Sequence, residues 1–538
     1  MKTIISIITL AFLVSSCVKE ETLENINRRQ TSITPEALAQ DFNFGTRFPN
    51  VLRAIGLNST GVAQYAEDWG NDNFMRQTGT PLDEEGGRDM MSYYMVDSWN
   101  EYMWNHTYNN IMAPSNANKK LALSVKADLF AAWSELFQVI ALSRTTVYYG
   151  PLIYSEYGQI KKQYDYDSEE FLYQQFFEEL DSIQAVFQTY ANNKSQDLVK
   201  FDNSYKGDLT KWLKMINTLR LRLAMRIVKA DPVLAKTQGE KAIADPVGLI
   251  LSNTDNFTTS LLGGTYPAWT MSNNWNDCRM GSGIEEVLVG YKDPRIKVWF
   301  QPVENLSLVA DHPTWPYKGI AGGAYLQAKD DHTPFSKLGT YFGPSGAGGS
   351  YRRVMTAAEI NFILSEAALR GWSGLTKSAK EYYEEGVRVS WLDWGATGDL
   401  SAYLADDISK PINYVDPNDH RNDYNTRMTM TVKWNESAGL EEKLEKIMMQ
   451  KWIASFQHSN EMWSDQRRTG YPKFSDPAKN ESNETWGRIE AGDVLKRYVF
   501  VLVERQNNPA GVEEATKKLG GPNKISTRLW IHPDKPNF

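Results

Sequence analysis

Asp208-Leu209-Thr210-Lys211-Trp212-Leu213-Lys214-Met215-Ile216-Asn217-Thr218-Leu219-Arg220-Leu221-Arg222-Leu223-Ala224-Met225-Arg226 is the stretch that sets the fold class of this chain. Trp212, Ile216, Leu219, Leu223 and Ile227 form an apolar stripe at helical spacing, with Arg220, Arg222 and Arg226 beside it. The spacing predicts a helix over 209–228, closed by Asp231-Pro232. The same periodicity extends outward in both directions. Leu121 to Val147 carries Val125, Leu129, Ala132, Leu136, Val139 and Ile140, and Gly150-Pro151 ends the run. Tyr166 to Glu170 supplies an acidic first turn for a helix over 171–190. Further helices are predicted over 355–369, 379–391 and 440–456. No stretch shows sustained strand alternation, so the reading is all-α.

Two of these helices read as a pair. Glu359 to Ala368 is followed, after Gly371-Trp372-Ser373-Gly374, by Ala379 to Gly386, with small residues where the helices would approach closely. That is one helical-repeat unit, although the spacing between units is too irregular for a regular solenoid. Long insertions rich in Gly, Pro, Asn and Trp separate the helices at 65–90, 252–283, 311–350 and 397–436. Connections of this length are usually functional.

The N-terminus gives an address. Lys2 precedes an apolar run from Ile4 to Val14, and Leu13-Val14-Ser15-Ser16 leads into Cys17. The run is shorter than the roughly 20 residues that cross a bilayer. It resembles a bacterial lipoprotein signal, which implies cleavage before Cys17 and acylation of its thiol. Val18-Lys19-Glu20-Glu21 resembles the signal that sends Bacteroidetes lipoproteins to the outer face of the outer membrane. The expected organisation is a signal peptide over 1–16, a lipidated tether over 17–40 and a ligand-binding body over 41–538.

Composition removes several functions. A net charge of −8 argues against a nucleic-acid partner, whose phosphates need Lys and Arg. With Cys17 lipidated, Cys278 has no disulfide partner. The six histidines are scattered and form no HExxH pair, and no G-x-S-x-G elbow occurs. Gly343 to Ser350 lacks the Gly-Lys-Ser/Thr ending of a P-loop and reads as a flexible surface loop. Asp416-Pro417-Asn418-Asp419 begins like a calcium loop, but Arg427 stands where the twelfth-position glutamate belongs. No cofactor is expected, and a bound Ca²⁺ stays open. Glycosidase carboxylate pairs are invisible in sequence, because 66 acidic residues supply too many candidates.

Aromatic residues are abundant: 17 Trp, 27 Tyr and 21 Phe, more than core packing usually needs. A sugar site uses exposed rings as platforms, surrounded by Asn, Asp and Arg that bond hydroxyls in fixed directions. Three insertions offer that mixture. They are Trp69, Asn71, Asn73 and Arg76; Trp269, Asn273, Trp275, Asn276 and Arg279; and Trp315 with Tyr317. Trp99, Trp104, Trp212, Trp452 and Trp463 sit at helical spacings and are assigned to the core.

A family resemblance rests on blocks that occur in order. Asp208 to Trp212 and Asn217 to Arg226 resemble the "KW…NSLRLRLAMR" helix of SusD/RagB-family lipoproteins, and Tyr149 to Glu156 is similar to that family's "YGDIPYSEA" turn, with Pro151 and Leu152 departing from it. Asp293-Pro294-Arg295, Ala358 to Gly371, Ala379 to Gly386, Lys451 to Ala454 and Glu461 to Asp465 match further blocks. So does Arg467-Arg468-Thr469-Gly470-Tyr471-Pro472, which reads as a charged helix end entering a turn. Arg497 to Phe500 and Arg528-Leu529-Trp530 resemble the closing segment, with Val499-Phe500 in place of a tyrosine-proline pair. The resemblance implies a surface lipoprotein with tetratricopeptide-like helix pairs and no catalytic activity. It would capture an oligosaccharide or peptide for a SusC-like TonB-dependent transporter. The alternatives are a surface glycan adhesin, a lipoprotein glycosidase or a RagB-like peptide-capture protein.

Overall fold

The computed structural model describes residues 40–82 and 90–538; the signal peptide, Cys17 and the tether through residue 39 lie outside the described residues. The helices that organise the body are α1 (Phe48–Ile55), α2 (Asp97–Asn105), α3 (Ala113–Ser124), α4 (Asp128–Tyr149), α5 (Glu169–Asn192), α6 (Leu209–Arg226) and α7 (Pro232–Ala244). They are followed by α8 (Ser282–Gly290), α9 (Ala357–Leu369), α10 (Ala379–Asp393), α11 (Leu440–Ala454) and α12 (Ser459–Thr469). Consecutive members of the runs α3–α7 and α9–α10 pack against each other, and α11 lies on both α9 and α10. This is the paired-helix scaffold that the sequence predicts.

Local chemistry places the helix ends. Ser168 Oγ accepts from Phe171 N at 3.2 Å, and Asp208 Oδ1 accepts from Thr210 N and Lys211 N at 3.0 and 3.1 Å. Asp231 caps α7 through Leu234 N at 2.9 Å, ahead of Pro232 in the first turn. Ser378 and Glu381 form a reciprocal capping box on α10. Gly470, at φ +82°, closes α12, so the Arg467 to Pro472 block is a helix end entering a turn.

The body is all-α as expected, and two element boundaries within it need correction. The helix predicted over 121–147 is two helices. Lys126 takes a left-handed conformation at φ +58° between Ser124 and Asp128, and Val125 faces solvent instead of joining the core stripe. No Gly or Pro marks that break. Strands also form, in two short antiparallel ribbons: β1 (Thr78–Gly79) with β3 (Arg279–Met280), and β2 (Phe257–Ser260) with β4 (Tyr351–Met355). Met355 therefore ends a strand, and α9 starts after its Thr356 cap. Runs of two to five residues are too short for alternation to be read.

Helix α6 is buried on nearly every side, arginines included. Each guanidinium ties it to a different neighbour. Arg220 pairs with Asp181 of α5 and donates to Gln238 of α7 at 2.6 Å. Arg222 donates to both carboxylate oxygens of Glu359 on α9, at 2.7 and 2.5 Å. Arg226 does the same to Glu461 on α12, at 2.9 and 2.7 Å. Arg468 of α12 returns a two-pronged bond to Glu366 of α9 at 2.6 and 2.8 Å, and Lys451 of α11 reaches Asp465 of α12 at 2.6 Å. Trp99, Trp104, Trp212, Trp452 and Trp463 are all buried, as assigned.

Removing one member of such a pair strands a charge in the core. Arg226→Met is expected to lower unfolding free energy by about 3–5 kcal/mol in denaturant melts. The double variant Arg226→Met/Glu461→Leu is expected to recover much of that loss. Equal losses in the single and double variants would refute a charge-pairing role.

Candidate ligand-binding surface

Three of the insertions are stitched to one another by backbone bonds. Thr78 and Gly79 of β1 pair with Met280 and Arg279 of β3, and Gly281 N donates to Gln77 O at 3.0 Å. Ile320 N donates to Met280 O, Ser282 N to Ile320 O and Met280 N to Ser336 O, at 2.8, 2.8 and 2.9 Å. Glycine permits the approach: a Cβ on Gly319 would lie 2.4 Å from Gly281 O. The resulting cap is bolted to α8. Lys318 and Glu285, both buried, pair at 2.6 Å; Gly319 N donates to the same carboxylate at 2.6 Å, and Tyr414 of the fourth insertion donates to Gly319 O at 2.7 Å.

Within that cap the predicted residues separate sharply. The first group is structural. Trp69 is buried, with ring centroids 4.8 Å from Trp99 and 5.2 Å from Tyr65. Asn71 is fully buried and bonds to Tyr148 Oη, while Asn73 Oδ1 accepts from Thr78 Oγ1 at 3.3 Å. Arg76 is buried with a left-handed backbone (φ +54°), its guanidinium packed against Gly322. The region read as a loop is helical over Ala63–Asp72 and packs into the body, so these four side chains do not form a ligand face.

The second group forms a braced turn. Arg279 is fully buried and donates to Thr333 O at 2.9 Å, Ser272 O at 3.0 Å, Cys278 O at 2.7 Å and Asn276 Oδ1 at 2.9 Å. Asn276, at φ +59°, ends the turn over Thr270–Trp275. Asn273 donates to Leu338 O at 3.2 Å and accepts from Gln301 Nε2 at 2.9 Å. Lys329 clamps the far side through Trp275 O at 3.2 Å and Asp277. Trp275 is 45% exposed, the most exposed tryptophan among the described residues. Trp269 is half-buried beside Gly343.

The third group lies across the adjoining chain segment. Val303 N donates to Pro316 O at 2.8 Å, so segment 300–303 carries the Trp275 turn on one side, through Gln301, and Trp315 on the other. Trp315 is half-buried with Lys297 Nζ 5.1 Å from its ring, and Tyr317 is buried. Gln301 was not singled out from sequence, because a lone Gln in a loop carries no signal. The surface is thus an exposed ring on a fixed backbone, with exposed Asn274 beside it.

Other sequence features resolve differently from their reading. Gly343 to Ser350 is a closely packed series of turns around Tyr341, with Gly348 N donating to Tyr341 O and Gly346 N to Gly343 O at 3.0 and 2.9 Å. The Asp416 carboxylate is engaged by His332 Nε2 at 3.2 Å, Asn422 Nδ2 at 2.8 Å and Asn418 N at 2.9 Å. Among the described residues, no three His, Cys, Asp or Glu side chains cluster as metal ligands. Beneath the cap, burial pushes the Asp68 carboxyl up to about 7 and the Asp72 carboxyl up to about 8. Cys278, unpaired and buried, donates to Asp68 Oδ1 at 3.0 Å.

The chain is thus a paired-helix body with long insertions, one of which carries an exposed tryptophan. Its sequence matches the SusD-like family, described as Susd and RagB outer membrane lipoprotein, over residues 25–532, and the chain belongs to that family. Among solved structures, a chitin-binding SusD homolog from Flavobacterium johnsoniae is 35% identical with a TM-score of 0.85, covering 92% of this chain and 100% of that one. A SusD homolog from Bacteroides vulgatus is 30% identical with a TM-score of 0.83, covering 93% and 99%. A SusD-like protein from Bacteroides thetaiotaomicron is 28% identical with a TM-score of 0.82, covering 91% and 98%. No curated protein sequence matches the chain. No helix among the described residues is long and apolar enough to cross a membrane.

These buried carboxyls set a pH window. Asp68, Asp72 and Glu286 (raised to about 8) are desolvated, so the fold gains stability as they take up protons between pH 8 and 5. Glu461 and Glu366, held down to about 2 against the cost of burial by Arg226, Arg222 and Arg468, contribute stability above pH 4.5 that is lost as pH falls towards 2. Melting temperature is therefore expected to peak at mildly acidic pH, and Asp72→Asn is expected to flatten the alkaline limb. A melting temperature that rises steadily from pH 5 to 8 would contradict this balance.

Proposed function

We propose that this chain is lipidated at Cys17, faces the cell exterior, and captures an oligosaccharide that it passes unaltered to a SusC-like TonB-dependent transporter. The observation that carries the ligand class is Trp275. A flat indole that reaches solvent, on a turn whose backbone is held by Arg279 and Lys329, suits the C–H face of a pyranose. The turn is already ordered, so little conformational entropy is lost when a sugar docks. Asn274 is free to bond hydroxyls, whereas Asn273 and Asn276 hold the loop. The chitin-binding relative makes N-acetylglucosamine oligomers the first ligands to test. Family membership supports the outer-membrane address and the transporter partner.

The test is titration of a glycan panel, chitooligosaccharides included, into the soluble body starting at Glu24. Trp275→Ala is expected to weaken the bound glycan about tenfold or more, the size of a hot-spot truncation, with an unchanged melting temperature. Trp69→Ala is expected to lower the melting temperature instead, through a loss of about 3–5 kcal/mol of unfolding free energy, as for a core Trp truncation. Native-like affinity in Trp275→Ala would overturn the site assignment. Release of new reducing ends would replace the capture reading with a glycosidase. Co-purification with a large β-barrel distinguishes delivery from simple adhesion.

A further inference from the structure

The helical core contains a cavity of about 40 Å³ between α4, α6, β4 and the start of α12. It is far smaller than the roughly 300 Å³ of a small-molecule site, and suits a single small ion with a water or two. Five guanidinium groups line it: Arg144, Arg222, Arg226, Arg352 and Arg353. Four have a carboxylate. Arg222 pairs with Glu359 at 2.5 Å, Arg226 with Glu461 at 2.7 Å, Arg352 with Glu67 at 2.6 Å and Arg353 with Asp393 at 2.6 Å. Arg144 has none among the described residues; its one protein acceptor is Ile55 O, at 2.6 Å from Nη1.

The leftover hydrogen-bonding capacity has the same sign as the leftover charge. Arg144 Nε and Nη2 and Arg352 Nε are buried and meet no acceptor from the protein, and His458 Nε2 is also unpartnered. A buried donor left unsatisfied costs roughly 1–3 kcal/mol, and an unneutralised buried charge costs more. Water would satisfy donors without balancing the charge. We infer that this cavity is a binding site for one monovalent anion, of halide size, that neutralises Arg144 in the core. Burial pulls Arg144 below the ordinary arginine range, and the fields of Glu67 and Glu461, each already paired with another arginine, only partly oppose that shift.

The probe is bromide. Crystals of the mature chain grown in sodium bromide should give an anomalous peak at the bromine edge in contact with Arg144. Water density there, with bromide confined to the surface, would overturn the assignment. In solution, replacing gluconate by chloride at constant ionic strength should raise the melting temperature by about 2 °C, because a ligand that binds only the folded state stabilises it. Arg144→Gln should abolish that halide dependence, and a variant that retains it would refute the site. Should Arg144→Gln fail to fold, the bromide map and the native chloride response decide the matter.

Discussion

The two-pronged bond between Arg226 and Glu461, with Arg222 bridging Glu461 and Glu359, is the interaction around which the helical body is arranged. A guanidinium taken out of water costs several kcal/mol unless its donors are met in good geometry. Helix α6 buries three of them, so every helix packed against it must present an acceptor at a fixed height. Asp181, Glu359 and Glu461 do so from α5, α9 and α12, and Arg468 closes the circuit between α12 and α9 through Glu366. Apolar packing alone would tolerate a helix sliding by a turn. A paired charge would not, because a slip leaves both partners desolvated and alone. The arginines therefore act as register marks in an otherwise greasy stack.

This explains why the helical half of the protein was legible. Apolar spacing located α5, α6, α9, α10 and α11 to within a few residues, because their apolar residues recur at helical period, and Ser168, Asp208, Thr356 and Ser378 cap four of them. The break between α3 and α4 was not legible. Lys126 supplies the left-handed turn without Gly or Asn, and the apolar period continues through it because both helices cover the same core. The ribbons were invisible for another reason: their pairing partners lie about 200 and 100 residues away in sequence (β1–β3 and β2–β4).

The candidate site shows the sharper limit. Trp69-Gly70-Asn71-Asp72-Asn73 and Asn273-Asn274-Trp275-Asn276-Asp277 have nearly the same composition, yet one is core and the other surface. Local sequence cannot separate them, because the difference is made by Trp99 of α2 and Tyr148 of α4, which with Tyr65 close over Trp69 and Asn71. Nothing comparable covers Trp275, whose backbone is held from beneath by Arg279 and Lys329 while its ring stays out. A residue type signals what a site could do. Only the long-range packing says whether it reaches solvent.

The buried first insertion nonetheless has a consequence for the exposed platform. Glu67, near the middle of Ala63–Asp72, is paired with Arg352 of β4, whose neighbour Arg353 belongs to the same charged cavity as Arg222 and Arg226. A few residues on, the same insertion becomes β1 and pairs with Arg279 and Met280 of β3. Arg279 is also the side chain that braces the Trp275 turn. The central ion pairs are thus linked through Glu67, and along the chain through β1 and β3, to the turn that carries Trp275. The Trp275 turn is anchored both by its own loop residues, Asn273 and Asn276, and by Arg279, which belongs to β3.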